Sequence, residues 1–187
     1  TEPATNAGVG GVARLGGWAG GDRYRDGEGP GGGKDRAGNN DGGGAGYGNH
    51  GWDDFNSHGA QGAPYGDPWI TQLLGGSGGG GGNRQAGGSG GGAIELVAHG
   101  AGDLVIAAGA KISVNGGDTF PNNNQGGGAG SGGSIRLTGA TIVNNGTLEA
   151  TGILPVADYD GSGGRIAFES NGTVTPGTIN LKGRFPW

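Results

Sequence analysis

Three times in its second half, this chain breaks a glycine run straight into a short alternating strand built from the same residue types. The copies read Gly-Ser-Gly-Gly-Gly-Ala-Ile-Glu-Leu at 88–96, Gly-Ser-Gly-Gly-Ser-Ile-Arg-Leu at 130–137 and Gly-Ser-Gly-Gly-Arg-Ile-Ala-Phe at 161–168. A unit that repeats a strand together with its preceding turn cannot bury an apolar face alone, and stacking of copies supplies the interior. The residues that follow keep to the same rows. Copy one continues with Leu104 and Ile106, then Ile112 and Val114; copy two with Ile142, then Leu148 and Ala150; copy three with Val174, then Ile179 and Leu181.

Alternation within each short run points these side chains to one face. Glycine closes nearly every run, at Gly109, Gly116, Gly139, Gly146, Gly152, Gly172, Gly177 and Gly183. Three short strands per copy, joined by tight corners, make one winding of a parallel β-helix. The expected fold is therefore all-β: a β-helix of about three windings, with Ile94, Ile135 and Ile166 stacked, and Ile112, Leu148 and Ile179 stacked. The expected charge column runs from Glu95 through Arg136 to Ala167 or Glu169, depending on register. A β-sandwich is the competing fold, but it would not keep residue-for-residue register between copies.

Composition divides the chain in two. Residues 91–187 hold 23 Ile, Leu, Val and Phe, whereas residues 1–90 hold seven, so the apolar core belongs to the second half. The expected organisation is a glycine-rich layer over 1–90, mostly coil or polyglycine in the extended threefold conformation, followed by the β-helix over 91–187. Glycine fills 54 of 187 positions without collagen's strict every-third spacing, which rejects a triple helix. Trp18, Tyr24, Tyr47, Trp52, Phe55 and Tyr65 are the anchors that could pin such a layer to a neighbour. Asp67 through Leu74 reads as a short helical turn, with Asp67 capping, Pro68 at the first helical position and Gly75 as the stop; a buried loop is its alternative. Residues 75–92 read as a linker. The excess residues in 117–133 and 153–163 read as loops leaving one corner of the stack.

Net charge is −5, with no basic stripe to neutralise phosphates, so nucleic acid is not an expected partner. No apolar run approaches the roughly 18 residues of a membrane span, so no membrane insertion is expected. The start at Thr1 and the lack of methionine lead us to expect a processed or excised piece of a longer product. Cysteine is absent, which fits either a reduced compartment or a bacterial exterior.

Candidate chemistry is sparse. Asp158-Tyr159-Asp160-Gly161 has the acid-x-acid-Gly opening of a calcium loop, but the twelfth position is Glu169, inside an expected strand, so an EF-hand is excluded. A simpler calcium site on Asp158 and Asp160 stays open beside a solvated acidic turn; no other cofactor is expected. Asp118 with Asn122, Asn123 and Asn124 is a second oxygen-rich loop. His50, Trp52, Asp53, Asp54 and His58 mix imidazoles, carboxylates and an indole, a set that suits a metal, a sugar contact or an ordinary packed turn. Asn145-Gly146-Thr147 and Asn171-Gly172-Thr173 match the glycosylation tripeptide and equally a strand-ending corner.

The run Gly-Gly-Ser-Gly-Gly-Gly-Gly-Gly at 75–82 follows Tyr-Gly-Asp-Pro at 65–68 and precedes Gly-Gly-Gly-Ala-Ile-Glu-Leu-Val-Ala at 90–98. With Gly-Ser-Gly-Gly-Ser-Ile-Arg-Leu, this combination resembles the glycine-rich β-helical repeats of large secreted bacterial surface proteins. The resemblance covers about residues 60–183 and implies an adhesin-like or envelope component, secreted or held at the bacterial cell surface.

The function expected is a non-catalytic structural subunit of a surface fibre, sheath or adhesin, not an enzyme. It would form homo-oligomers or filaments through its coil ends, with Phe185 and Trp187 contributing. The alternative is a polysaccharide-binding module using Trp52, Tyr65 or Trp18 as platforms. A carbohydrate-active enzyme, needing converging carboxylates, ranks third.

Overall fold

The computed structural model describes residues 9–12, 15–35, 41–52, 59–119, 126–152 and 160–183. Among them nine short strands follow one another: β1 (Ala93–Val97), β2 (Leu104–Ile106), β3 (Lys111–Ser113), β4 (Ser134–Thr138), β5 (Ile142–Asn144), β6 (Thr147–Glu149), β7 (Arg165–Glu169), β8 (Val174–Thr175) and β9 (Thr178–Asn180). They build three sheets, ordered β1-β4-β7, β2-β5-β8 and β3-β6-β9. Each sheet takes one strand from each copy of the repeat, so the chain visits all three sheets before returning to the first. Every pairing is parallel. A hairpin-built sandwich does not produce this pattern, and a short β-helix-like stack does.

The register matches like with like. Ile94 faces Ile135 and Ile135 faces Ile166; Leu96, Leu137 and Phe168 form the next row; Ile112, Leu148 and Ile179 form a third. Ile135, Leu137, Ile142 and Leu148 of the middle winding are fully buried, and their neighbours above and below are only partly so. Each fully buried aliphatic side chain contributes roughly 1.5–3 kcal/mol. The register decides the charge column: Glu95 stands opposite Arg136 and then Ala167, while Glu169 pairs with Thr138. The Arg136 guanidinium still reaches both carboxylates, at 3.5 Å from Glu95 Oε1 and 2.5 Å from Glu169 Oε2. Its stem is long enough to bridge a diagonal.

The glycine runs are not linkers. Residues 75–82, 85–92, 41–47 and 126–133 are buried nearly throughout without entering any strand. They bond to one another through the backbone, and the bonds recur every third residue. Trp18 and Gly21 donate to the oxygens of Gly76 and Gly79; Gly76 and Gly79 donate to Gly91 and Gly88; Gly88 and Gly91 donate to Gly128 and Ser131. Run 75–82 sits in the middle, exchanging bonds also with Glu28, Gly33 and Gly43. A Cβ placed on Gly79 or Gly128 would overlap the carbonyl oxygen of Gly128 or Gly43 respectively. Much of both expected corner insertions, 126–133 and 160–163, belongs to this packed set; residues 120–125 and 153–159 lie outside the described residues.

The expected helical turn at 68–74 is a plain turn, because Ile70 takes a left-handed φ of 52° that an α-helix cannot hold. Asp67 still caps it: its carboxylate accepts from the N–H groups of Trp69 and Thr71 and from the Thr71 hydroxyl. These bonds, the Thr71 hydroxyl foremost, hold the Asp67 carboxyl below the usual range. The apolar residues split rather than share a face, with Ile70 buried and Trp69 exposed. The turn lies against the starts of windings two and three, where Ser134 Oγ donates to Leu74 O and Gly66 adjoins Arg165 and Tyr47. It does not cover the open end of the first winding.

Candidate functional site

An aromatic cluster fastens the glycine-rich part to the strands, beside backbone bonds such as Ala93 N–H to Leu15 O and Ser162 N–H to Ala45 O. Tyr47, arriving at the end of run 41–47, is buried, and its hydroxyl lies 2.5 Å from Ser134 Oγ. Its ring packs on Tyr65 with centroids 4.6 Å apart, and the Arg165 guanidinium covers it at 4.9 Å. Arg165 also donates to Tyr47 O, and the Tyr65 hydroxyl donates to Gly75 O at 2.5 Å. Burial pushes both phenols up, because the phenolate would lose water at these positions. Small hydroxyls do the same work inside the lattice: Ser77 Oγ accepts from Gly31 N–H, Ser131 Oγ from Ser77 N–H and Ser162 Oγ from Tyr47 N–H. The sequence pattern marks these serines only as glycine substitutes. Their burial in glycine runs was the available signal.

Of the three expected sugar platforms, Tyr65 is half-buried in that cluster. Trp18 is 41 % exposed, with its backbone tied to Gly76 and Gly90. Trp52 is half-buried, and its N–H donates to Asp160 O at 2.9 Å. A candidate sugar contact and a candidate calcium ligand thus meet through the main chain. Asp160 is buried; Asp158, its expected partner, lies outside the described residues, as do Asp53, Asp54, His58, Phe185 and Trp187. His50 is exposed. Among the described residues no group of three His, Cys, Asp or Glu side chains is placed to hold a metal. Asp118 is half-buried, and loss of water raises its carboxyl above the usual range, opposed by a bond from Thr119 N–H. The glycosylation-like tripeptides sit at corners, Asn145 between β5 and β6 and Asn171 between β7 and β8.

The stack presents two ends. At the first, β1 and β3 border an open cleft of roughly 330 Å³ lined by Ile94, Ile112, Val114 and Leu15. At the other, Gly163, Gly164, Arg165, Leu181 and Gly48 border a cleft of roughly 220 Å³. The clefts have corresponding walls, since Gly92 and Gly164 each precede the first strand of a winding, and Val114 and Leu181 each follow the third. Leu181 is exposed in the second cleft, and Val174 and Ile179 are exposed elsewhere on winding three. Across the middle, Glu149 takes Lys111 at 2.7 Å and Asn115 Nδ2 at 3.0 Å, and these, Lys111 foremost, hold its carboxyl low. No helix of the described residues is long and apolar enough to cross a membrane. No family model, curated protein or solved structure matches the chain.

Proposed function

We propose that the chain is a non-catalytic structural building block of a bacterial surface fibre, sheath or adhesin, secreted or held at the cell surface, whose copies associate through the ends of the stack. The observation that carries this reading is the pair of open ends. Among the described residues, windings one and three each leave an apolar edge and strand groups with no further strand beside them, and such edges are templates for another chain. The glycine runs fit the same role. Their three-residue bond spacing supports extended threefold polyglycine helices packed side by side, a stiff filler with no side chains to move. The resemblance to glycine-rich repeats of secreted surface proteins points the same way.

Sedimentation velocity and electron microscopy on the intact chain test the proposal: oligomers or fibres that grow with concentration are expected, and a strict monomer at high concentration removes it. A glycan-binding module is the second reading, favoured by the exposed indole of Trp18. Trp18→Ala should then abolish retention on a polysaccharide column, and a glycan array without hits ends that alternative.

A further inference from the structure

Three described residues other than glycine hold a left-handed backbone: Leu15, Tyr24 and Ile70, with φ of 52°, 59° and 52°. Side chains on L-residues rarely adopt this conformation, and a bulky one does so only when its surroundings compel it. For Ile70 the compensation is burial. Tyr24 bonds its hydroxyl to Asn83 and lies under the Arg23 guanidinium at 5.2 Å. Leu15 has neither. Its side chain is 84 % exposed, the most exposed of the large apolar residues described. Leu15 opens a tight turn with Gly16, whose φ is 84°, and that turn holds an apolar side chain out where none of the described residues covers it.

The position of Leu15 says what that contact is. Its carbonyl accepts from Ala93 N–H at 2.8 Å, so Leu15 stands just beyond β1, at the open end of winding one. Register carries Ala93 through Ser134 to Arg165, and beside Arg165 the opposite end of the stack is indented by the cleft of roughly 220 Å³ walled by Gly163, Gly164 and Leu181. A projecting leucine and a glycine-walled apolar hollow therefore occupy the same row at opposite ends. We infer that a second copy of this chain docks head to tail, with Leu15 of one copy entering the cleft beside Leu181 of the next.

This rests on the self-association reading and adds its direction and its contact. A lipid or small apolar ligand would leave the edge groups of β1 and β7 unmet, whereas another polypeptide edge satisfies them. Pro176 offers no N–H to a further strand beside the two-residue β8, which turns the contact toward the Leu15 side. A head-to-tail contact that does not close gives filaments.

The test is sedimentation velocity on the intact chain and on three variants. Leu15→Gly should weaken self-association at least tenfold while the thermal midpoint holds or rises, because glycine takes this backbone without strain. Leu15→Asp and Leu181→Asp copies should each remain monomeric, yet form a discrete dimer when mixed, because one intact contact remains between them. If Leu181→Asp fails to fold, Leu15→Gly alone decides. Unchanged association of folded Leu15→Gly, or a mixture that stays monomeric, overturns the Leu15 contact and leaves the self-association reading standing. A native chain that is monomeric at every concentration overturns both.

Discussion

The stacked strands and the glycine runs are two interiors made by opposite means. Around Ile135, Leu137, Ile142 and Leu148 the strands exclude water with aliphatic side chains. Runs 75–82, 85–92 and 126–133 exclude it almost entirely with backbone, bonded from run to run and helped by the hydroxyls of Ser77 and Ser131. The energetics differ accordingly. Ordering a residue costs about 1–2 kcal/mol, and glycine loses most. A backbone hydrogen bond returns only about 1 kcal/mol net. Backbone bonds alone therefore do not offset the ordering of the glycine runs, and the aliphatic stack, joined to them through Tyr47, Ser134 and Arg165 among other contacts, supplies the surplus. An interior without side chains tolerates no atoms added; an interior of side chains tolerates none removed.

The strongest way to break this contrast is to add one methyl group. Gly128→Ala should cost about 3 kcal/mol or more, since the new Cβ meets the Gly43 carbonyl and neither backbone can give way. Thermal or denaturant unfolding would show it, and a shift below about 1 kcal/mol would mean the runs are loosely packed. Removing carbon is the matching test in the strands: Ile135→Ala should cost about 3 kcal/mol, whereas the equivalent Ile94→Ala on the open winding should cost visibly less. Tyr47→Phe probes the fastening. Loss of its bond to Ser134 should cost about 1 kcal/mol and loosen hydrogen-exchange protection in run 41–47 before the strands.

Calorimetry sharpens the same comparison. With so little apolar area in the glycine half, the heat-capacity change of unfolding should fall below the usual ~12–15 cal/mol/K per residue. The smallest effect is acid sensitivity. Glu149 is held below its ordinary value of 4.5, so the native state binds fewer protons than the unfolded one near that pH. Its contribution is present above 4.5 and is lost as pH falls through the native value. Glu149→Gln should flatten this part of the stability profile, and an unchanged profile would remove Lys111 and Asn115 as its cause.

How much was legible differs between the two halves for a physical reason. In the strands, alternation names the inward residues, and repetition sets the register, so the Ile94, Ile135 and Ile166 row could be read directly. The charge column stayed open between Ala167 and Glu169, because only the register counted from Arg165 chooses Ala167. In the glycine runs no residue type distinguishes inside from outside. Residues 75–92 therefore read as a linker although they are among the most buried of the chain. The Asp67 cap was legible, but the left-handed Ile70 that turns a helix start into a turn was not, since nothing in the local sequence requires it. Leu15 carried no signal at all.

Local sequence settled what alternation and repetition can settle: strands, corners, the order of windings and the rows of like residues, because side-chain period and turn chemistry act within a few positions. Tertiary structure alone decided which glycine runs lie against which, where Tyr47 anchors them and what the two ends display. Those contacts join backbones far apart in the chain, and glycine leaves no side chain by which the partner could be named in advance.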